Sequence, residues 1–347
     1  MDNIFRMPAE WEPQAATWVS WPHNEETWPD NLAEAQAEFV AFVQAVAEVQ
    51  PVCVLAGESN SAARQQAEKA LAGTPNVTLI EIETNDAWAR DYAPTFVIHS
   101  REDSPNDSLV AINWFYNAWG GKYPPFDADQ LVASKVASLL GIECVSPPLC
   151  FEGGAIEINE WGLLLCTRSC AFDPNRNPDT SQSKVETIFA ECLGARHTVW
   201  LSGDAIEGDD TDGHIDQLAR FTDENTIVYA WCDDETDPQF AGLKKNLEDL
   251  QSGLAEVGQG EFRLIPLPIP AAIELSGRRV PASYCNFLIC NQRVIVPQFG
   301  DARTDEIAMQ TLTELFPTRI VSGLNSVNLS VGLGSFHCLS QQMPETK

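Results

Sequence analysis

Basic residues are scarce in this chain. Only 21 Lys and Arg stand against 50 Asp and Glu, a formal net charge of −29 over 347 residues. Nucleic acid and anionic membrane surfaces are bound through positive patches, so neither is expected as a partner. A cationic small molecule is compatible with this balance. Histidine is also scarce, with five in all. With no His-Glu-x-x-His pattern either, a multi-histidine metal centre is not expected. No Cys-x-x-Cys pair occurs among the ten cysteines; the closest are Cys166/Cys170 and Cys285/Cys290. Several lie inside apolar runs, such as Cys53 and Cys290, as reduced core thiols of a cytoplasmic protein do. No stretch approaches the ~20 apolar residues that span a bilayer. Residues 1–11 lack the apolar run of a signal peptide, so a cytoplasmic location is expected.

What remains is the composition of a globular protein, 44% hydrophobic and 20% charged. Without a linker or low-complexity segment, residues 1–347 read as one domain. Helical periodicity marks 31–49, 127–140, 180–193, 237–254 and 304–316. A short apolar strand follows each, at 52–55, 142–145, 198–201, 262–265 and 319–321. Strand pairs precede four of the helices: 94–98 with 109–113 across a polar loop at 100–108, 155–158 with 163–167, 214–221 with 226–231, and 284–289 with 294–297. An additional helix at 61–71 breaks the spacing of the first unit. The order strand-strand-helix-strand thus recurs about five times, as an α/β ring of blades or an α+β sandwich would require. Hairpin-like pairs do not fit an all-parallel sheet.

The last thirty residues hold a thiol of another kind. Gly332, Gly334 and Ser335 lead into His337-Cys338 and a polar tail, where an approachable thiol that favours thiolate is expected. Three further segments are dense in polar residues: Asp86 to Pro94, Glu152-Gly153-Gly154, and Gly208 to Asp216. From Asp91 to Glu152 is 61 positions, from Glu152 to His214 is 62, and from His214 to Cys338 is 124, twice 62. The four therefore share one phase of the repeat. In a ring such positions converge on the axis, bringing Asp91, Glu152, His214, Asp216 and Cys338 into one site.

Each residue alone has a plainer reading. Asp91 near a proline is a turn former. Asp210-Thr211-Asp212-Gly213 is a turn or cap that lacks the ligand spacing of a calcium loop. His214 and Asp216 could be two zinc ligands without the rest of a site. His337 would face away from Cys338 if the segment were a strand. Together the set has a chemical logic: Cys338 as nucleophile and His214 as acid and base, among carboxylates. Three carboxylates suit a planar cation, because a guanidinium offers donors in a fixed fork. The bound cation would in turn favour thiolate.

Six segments together resemble the agmatine deiminases of the bacterial-type peptidylarginine deiminase family, within the guanidino-group-modifying (pentein) superfamily. They are Met7 to Pro13, Thr17 to Pro22, Trp88 to Asp91, Glu152 to Glu157, Asp210 to Asp216 and His337 to Gln342. The resemblance implies the pentein fold, a five-bladed α/β propeller of ββαβ units with pseudo-fivefold symmetry, and no metal or cofactor. It implies hydrolysis of agmatine to N-carbamoylputrescine and ammonia through a thiouronium on Cys338. His214 would protonate the departing ammonia and then activate water. Asp91 and Asp216 would hold the guanidinium, and Glu152 would orient and charge His214.

Trp88 could cover the guanidinium plane or be a packed aromatic. Asp210, with Asp209 and Glu207, could serve the ammonium at the far end of agmatine. The chain departs from the family pattern at Tyr92-Ala93-Pro94, at Gly332-Leu333-Gly334 and in the early segment Trp21 to Trp28. A deiminase of free or peptidyl arginine, a catalytically silent pentein binding protein and a metallohydrolase built on His214 and Asp216 stay open, as does homo-oligomerisation.

Overall fold

The computed structural model describes residues 4–100, 107–203, 205–258, 260–275 and 278–346. Most of the polar loop expected at 100–108 lies outside the described residues.

Among the described residues, five small mixed sheets account for nearly all strands, and each repeats one pairing pattern. An antiparallel pair comes first, and a parallel strand is added after a helix. Three sheets have this form alone: Glu157–Ile158, Leu163–Thr167 and His197–Leu201; Ala219–Phe221, Thr226–Trp231 and Arg263–Pro268; and Leu288–Ile289, Arg293–Gln298 and Ile320–Asn325. A fourth, Thr95–Ser100, Ser108–Ile112 and Glu143–Val145, gains Ile4–Arg6 on its edge. The remaining sheet joins the two ends of the chain. Gln14–Ser20 pairs antiparallel with Ser340–Pro344 and parallel with Val52–Leu55, and Val77–Ile80 adds a fourth strand. That fourth strand explains the additional helix of the first unit: Ala62–Ala70 is the crossover leading to it.

The helices follow local signals. Ser181 Oγ accepts from Lys184 N at the start of Gln182–Leu193, and Gly194 closes it in the left-handed conformation. Asp301 caps Ala302–Leu315 through the Arg303 and Thr304 amides. In Leu32–Ala47 the expected face packs inward, with Ala35, Phe39, Phe42, Val43 and Val46 fully buried in the largest core cluster. Burying each such phenylalanine stabilises the fold by about 1.5–3 kcal/mol. Two helices differ most from expectation. The expected 127–140 helix opens with a 3-10 turn at Asp129–Leu131, and the expected 237–254 helix runs as Phe240–Val257.

The larger correction concerns the first strand of the units. The expected strands at 155–158, 214–221 and 284–289 begin as helical turns, Gly153–Ala155, Ile215–Leu218 and Tyr284–Asn286, with only two or three strand residues after them. A run such as Ile215-Asp216-Gln217-Leu218 is too short for its pattern to decide. These turns matter because Glu152, Asp216 and Asn286 lie on or beside them, immediately ahead of each sheet.

Candidate active site

Four segments deliver the five expected residues, each just ahead of an antiparallel strand. Asp91 lies on the turn Ala89–Tyr92, Glu152 precedes the turn Gly153–Ala155, and His214 and Asp216 flank the start of Ile215–Leu218. Cys338 stands two residues before Ser340–Pro344. All five side chains are buried, and Cys338 is only 5% exposed, where the sequence suggested an approachable thiol. The Gly-rich approach is packed rather than loose: a Cβ on Gly334 would lie 2.5 Å from the Trp88 ring and 2.9 Å from Cys338 Cβ.

Gly154 locates the convergence. A Cβ there would stand 2.6 Å from His214 Nδ1, 2.7 Å from Asp91 Oδ1 and 3.2 Å from Asp216 Oδ2. Glycine lets the backbone reach the centre, and its N–H donates to Asp91 Oδ1 at 3.0 Å. The imidazole of His214 lies between two acids, Nδ1 3.6 Å from Asp91 Oδ1 and Nε2 3.5 Å from Glu152 Oε2. The Cys338 sulfur is 3.5 Å from Asp216 Oδ2. Among the described residues, Asp216 Oδ1 is buried without a hydrogen-bond partner.

The charges oppose one another. Burial pushes Asp91 up to about 6, with Asp216 and Glu152 adding to the rise against the pull of His214. Burial also pushes on Glu152, but the Arg176 guanidinium and His214 outweigh it and hold Glu152 down at about 2. For His214, burial favours the neutral ring, yet Asp91 first, then hydrogen bonding to Cys170 and Glu152, raise it well above the ordinary range. Burial, then the Asp216 and Asp91 carboxylates, push the Cys338 thiol well up. Without a cation between these carboxylates the sulfur keeps its proton.

Several neighbours of the site carried little sequence signal. Arg176, wholly enclosed, donates from Nε to Glu152 Oε1 at 2.7 Å, from NH1 to Asp212 Oδ2 at 2.5 Å and from NH2 to the Thr211 carbonyl at 2.9 Å. It ties Glu152 to the His214 loop. Trp119 donates from Nε1 to Asp91 Oδ2 at 3.0 Å, from a turn in which Ala118 and Trp119 both hold positive φ, 54° and 56°. The run Ala118-Trp119-Gly120-Gly121 was the available hint. Asn286 touches both the backbone and the sulfur of Cys338.

His337 sits on a turn rather than a strand. Its Nδ1 faces Asp216 Oδ2 at 2.7 Å and its Nε2 faces Glu10 Oε2 at 3.0 Å. It therefore backs Asp216 instead of reaching the sulfur. Behind it, the buried Arg220 bridges Glu10 and Glu157.

The remaining candidates lie further out. Trp88 is 4% exposed and packs on Trp28 with ring centroids 5.4 Å apart. Asp210 accepts from the Tyr123 hydroxyl, and its carbonyl accepts from Lys122. Asp209 holds the Thr211 and Gly213 amides, and Glu207 pairs with Arg279. Among the described residues, Glu152–Cys170–His214 and Glu10–Glu157–His337 have ligand-type atoms close enough for a metal ion. Arg176 and Arg220 already place positive charge on those carboxylates, which opposes a cation.

A profile of the family described as Porphyromonas-type peptidyl-arginine deiminase matches residues 6–344. The chain belongs to this family. A family relative from Shewanella frigidimarina, named "putative agmatine deiminase", is 36% identical over 99% of this chain and 95% of its own length. The structure of a Cys-to-Ser variant of C. jejuni agmatine deiminase with substrate bound superposes with a TM-score of 0.89 at 31% identity, covering 99% of this chain and 98% of that one. At 13% identity, DDAH from Pseudomonas aeruginosa still reaches a TM-score of 0.50 over 95% of this chain and 100% of its own. That likeness concerns the mixed α/β fold alone.

Proposed function

We propose that this protein hydrolyses agmatine to N-carbamoylputrescine and ammonia, using Cys338 as nucleophile. The observation that carries the reading is the convergence of a thiol, an imidazole and three carboxylates on one buried centre beside Gly154. Such a site is over-supplied with negative charge until a planar cation enters. Agmatine deiminase is also what the similar proteins of Shewanella and C. jejuni are named.

In this mechanism Asp91 and Asp216 grip the guanidinium nitrogens, and the buried, unpartnered Asp216 Oδ1 is the readiest acceptor. The cation offsets the two carboxylates and lets the Cys338 proton pass to water, since His214 is already charged. The sulfur attacks the guanidinium carbon, and His214 gives its proton to the departing nitrogen as the C–N bond breaks. Ammonia leaves and a thiouronium remains on Cys338. His214, now neutral, takes a proton from water, and the hydroxide adds to the same carbon. The adduct's hydroxyl gives its proton to water as the C–S bond breaks, which returns the thiolate and releases the neutral ureido product. Glu152, fixed by Arg176, holds the His214 ring and favours its charged form.

The five sheets are assigned to the five blades of a pentein propeller. The support is that a side chain from the entry of each sheet meets in one place: Asp91, Glu152, His214 with Asp216, Asn286 and Cys338. Ten unpaired cysteines support a reducing, cytoplasmic setting. Free or peptidyl arginine is a weaker fit. Its carboxylate would need a cation, while Arg176 beside the site is already engaged by Glu152 and Asp212. The test is ureido-product formation from agmatine, free arginine and a C-terminal arginyl peptide side by side. Agmatine should be turned over by far the fastest, and preference for either arginine compound would reject the assignment.

A further inference from the structure

Cys338 has a second polar neighbour whose orientation is fixed by the cysteine itself. The Asn286 side chain is fully buried, with Oδ1 3.2 Å from the Cys338 backbone N and Nδ2 3.0 Å from its sulfur. Amide oxygen and nitrogen are assigned by their partners. Here a backbone N–H can only donate, so the end facing it must be the oxygen. The NH2 end is then forced toward the sulfur.

The segment carrying Asn286 is held rigidly. Asn286 lies on the 3-10 turn Tyr284–Asn286, its N–H donates to the Ser283 carbonyl, and its own carbonyl accepts from His337 N. The carbonyls on either side, of Cys285 and Phe287, both accept from Arg220 NH1 at 3.1 and 2.9 Å. Arg220 is in turn clamped between Glu10 and Glu157. A donor pinned this way costs nothing to reorganise when charge develops on its partner.

We propose that Asn286 is a catalytic residue, the fixed hydrogen-bond donor that stabilises the Cys338 thiolate. This rests on Cys338 being the nucleophile. The need is greatest at the end of the reaction. On entry, the substrate cation offsets Asp91 and Asp216. On exit, the ureido product is neutral, and the thiolate re-forms 3.5 Å from Asp216 Oδ2. Asn286 remains as a donor on the sulfur at that moment. It forms and breaks no covalent bond and transfers no proton. The Gln217 amide lies an ångström further from the sulfur, at 4.0 Å against 3.0 Å for Asn286. Asn286 is also the entry of the fifth sheet into the site. The residues around the small hairpin Glu274–Leu275 and Arg278–Arg279 shift it away from the 62-residue phase.

The experiment follows alkylation of Cys338 as a function of pH in the full-length protein. Mass spectrometry of the Cys338 peptide resolves this thiol from the other nine. The probe is 2-chloroacetamidine, a small amidinium reagent that the carboxylates can hold. Asn286→Ala removes the donor; Asn286→Asp keeps the oxygen on the Cys338 N–H and turns an anion toward the sulfur. In both, the rate at neutral pH should fall about tenfold or more, as loss of a hydrogen bond to a charged group implies. The pH profile should move upward, further for Asp than for Ala. A merely structural role would lower the melting temperature and leave the profile in place, and an unmoved profile in either folded variant overturns the proposal. If the wild-type Cys338 is not alkylated at all, the nucleophile reading fails, and this proposal with it.

Discussion

Arg176 Nε donates to Glu152 Oε1 across 2.7 Å, with both side chains completely enclosed. A buried carboxylate so paired keeps its charge, and losing the partner strands it. Arg176→Met should therefore cost about 3–5 kcal/mol of stability in urea denaturation at neutral pH. Arg176→Lys should recover part of that but little activity, because a point charge cannot reach Glu152, Asp212 and the Thr211 carbonyl together. A stable, fully active lysine variant would contradict the positioning role.

The same pair predicts an acid limb of stability. Glu152 is held down at about 2 from an ordinary 4.5. Its contribution is full above pH 4.5 and is lost as pH falls toward 2, a change on the order of 3 kcal/mol at 1.36 kcal/mol per pKa unit. Glu152→Gln should flatten the stability profile over that window. A parallel profile would contradict the ionised, arginine-bound state.

Asp91 has the opposite sign. Its carboxyl is raised from 3.8 to about 6 by burial. The group therefore costs nothing below pH 3.8 and destabilises increasingly as pH rises through 6, by on the order of 3 kcal/mol. Relative to wild type, Asp91→Asn should gain stability by that amount between pH 4 and 7. Its kcat/KM should nonetheless fall about 10- to 100-fold, the worth of a hydrogen bond to a charged group. A stability difference independent of pH would refute the shift, and wild-type kinetics would remove Asp91 from the site.

Trp119 offers a gentler test. Trp119→Phe deletes the donor to Asp91 Oδ2 together with part of a ring system that is 7% exposed. We expect a loss in kcat/KM of about tenfold, beside a fall in melting temperature from the lost ring volume. Unchanged kinetics would mean that the Trp119 bond to Asp91 does nothing for catalysis.

The chain's periodicity gave away the repeating unit because its helices carry strong amphipathic faces, as in Phe39, Phe42, Val43 and Val46. The short turns ahead of each sheet stayed hidden, since four residues such as 215–218 cannot distinguish two periods. In the site, Asp91, Glu152, His214, Asp216 and Cys338 stood out by spacing and residue type. Arg176, Trp119 and Asn286 did not, because their roles come from contacts between distant segments. Asn286 was masked further by the residues near 274–279 that break the count. The depth of Cys338 was likewise invisible: Gly332 and Gly334 read as a loose turn, yet they are small so that Trp28 and Trp88 can pack against them.

The central claim is that Cys338 attacks a guanidinium carbon. It is tested most directly by colorimetric detection of the ureido product from agmatine, comparing wild type with Cys338→Ala. The account predicts steady product formation by the wild type and none by the variant, with matching circular dichroism spectra. Full activity in Cys338→Ala, or no ureido product from the wild type with any guanidino compound, would contradict it.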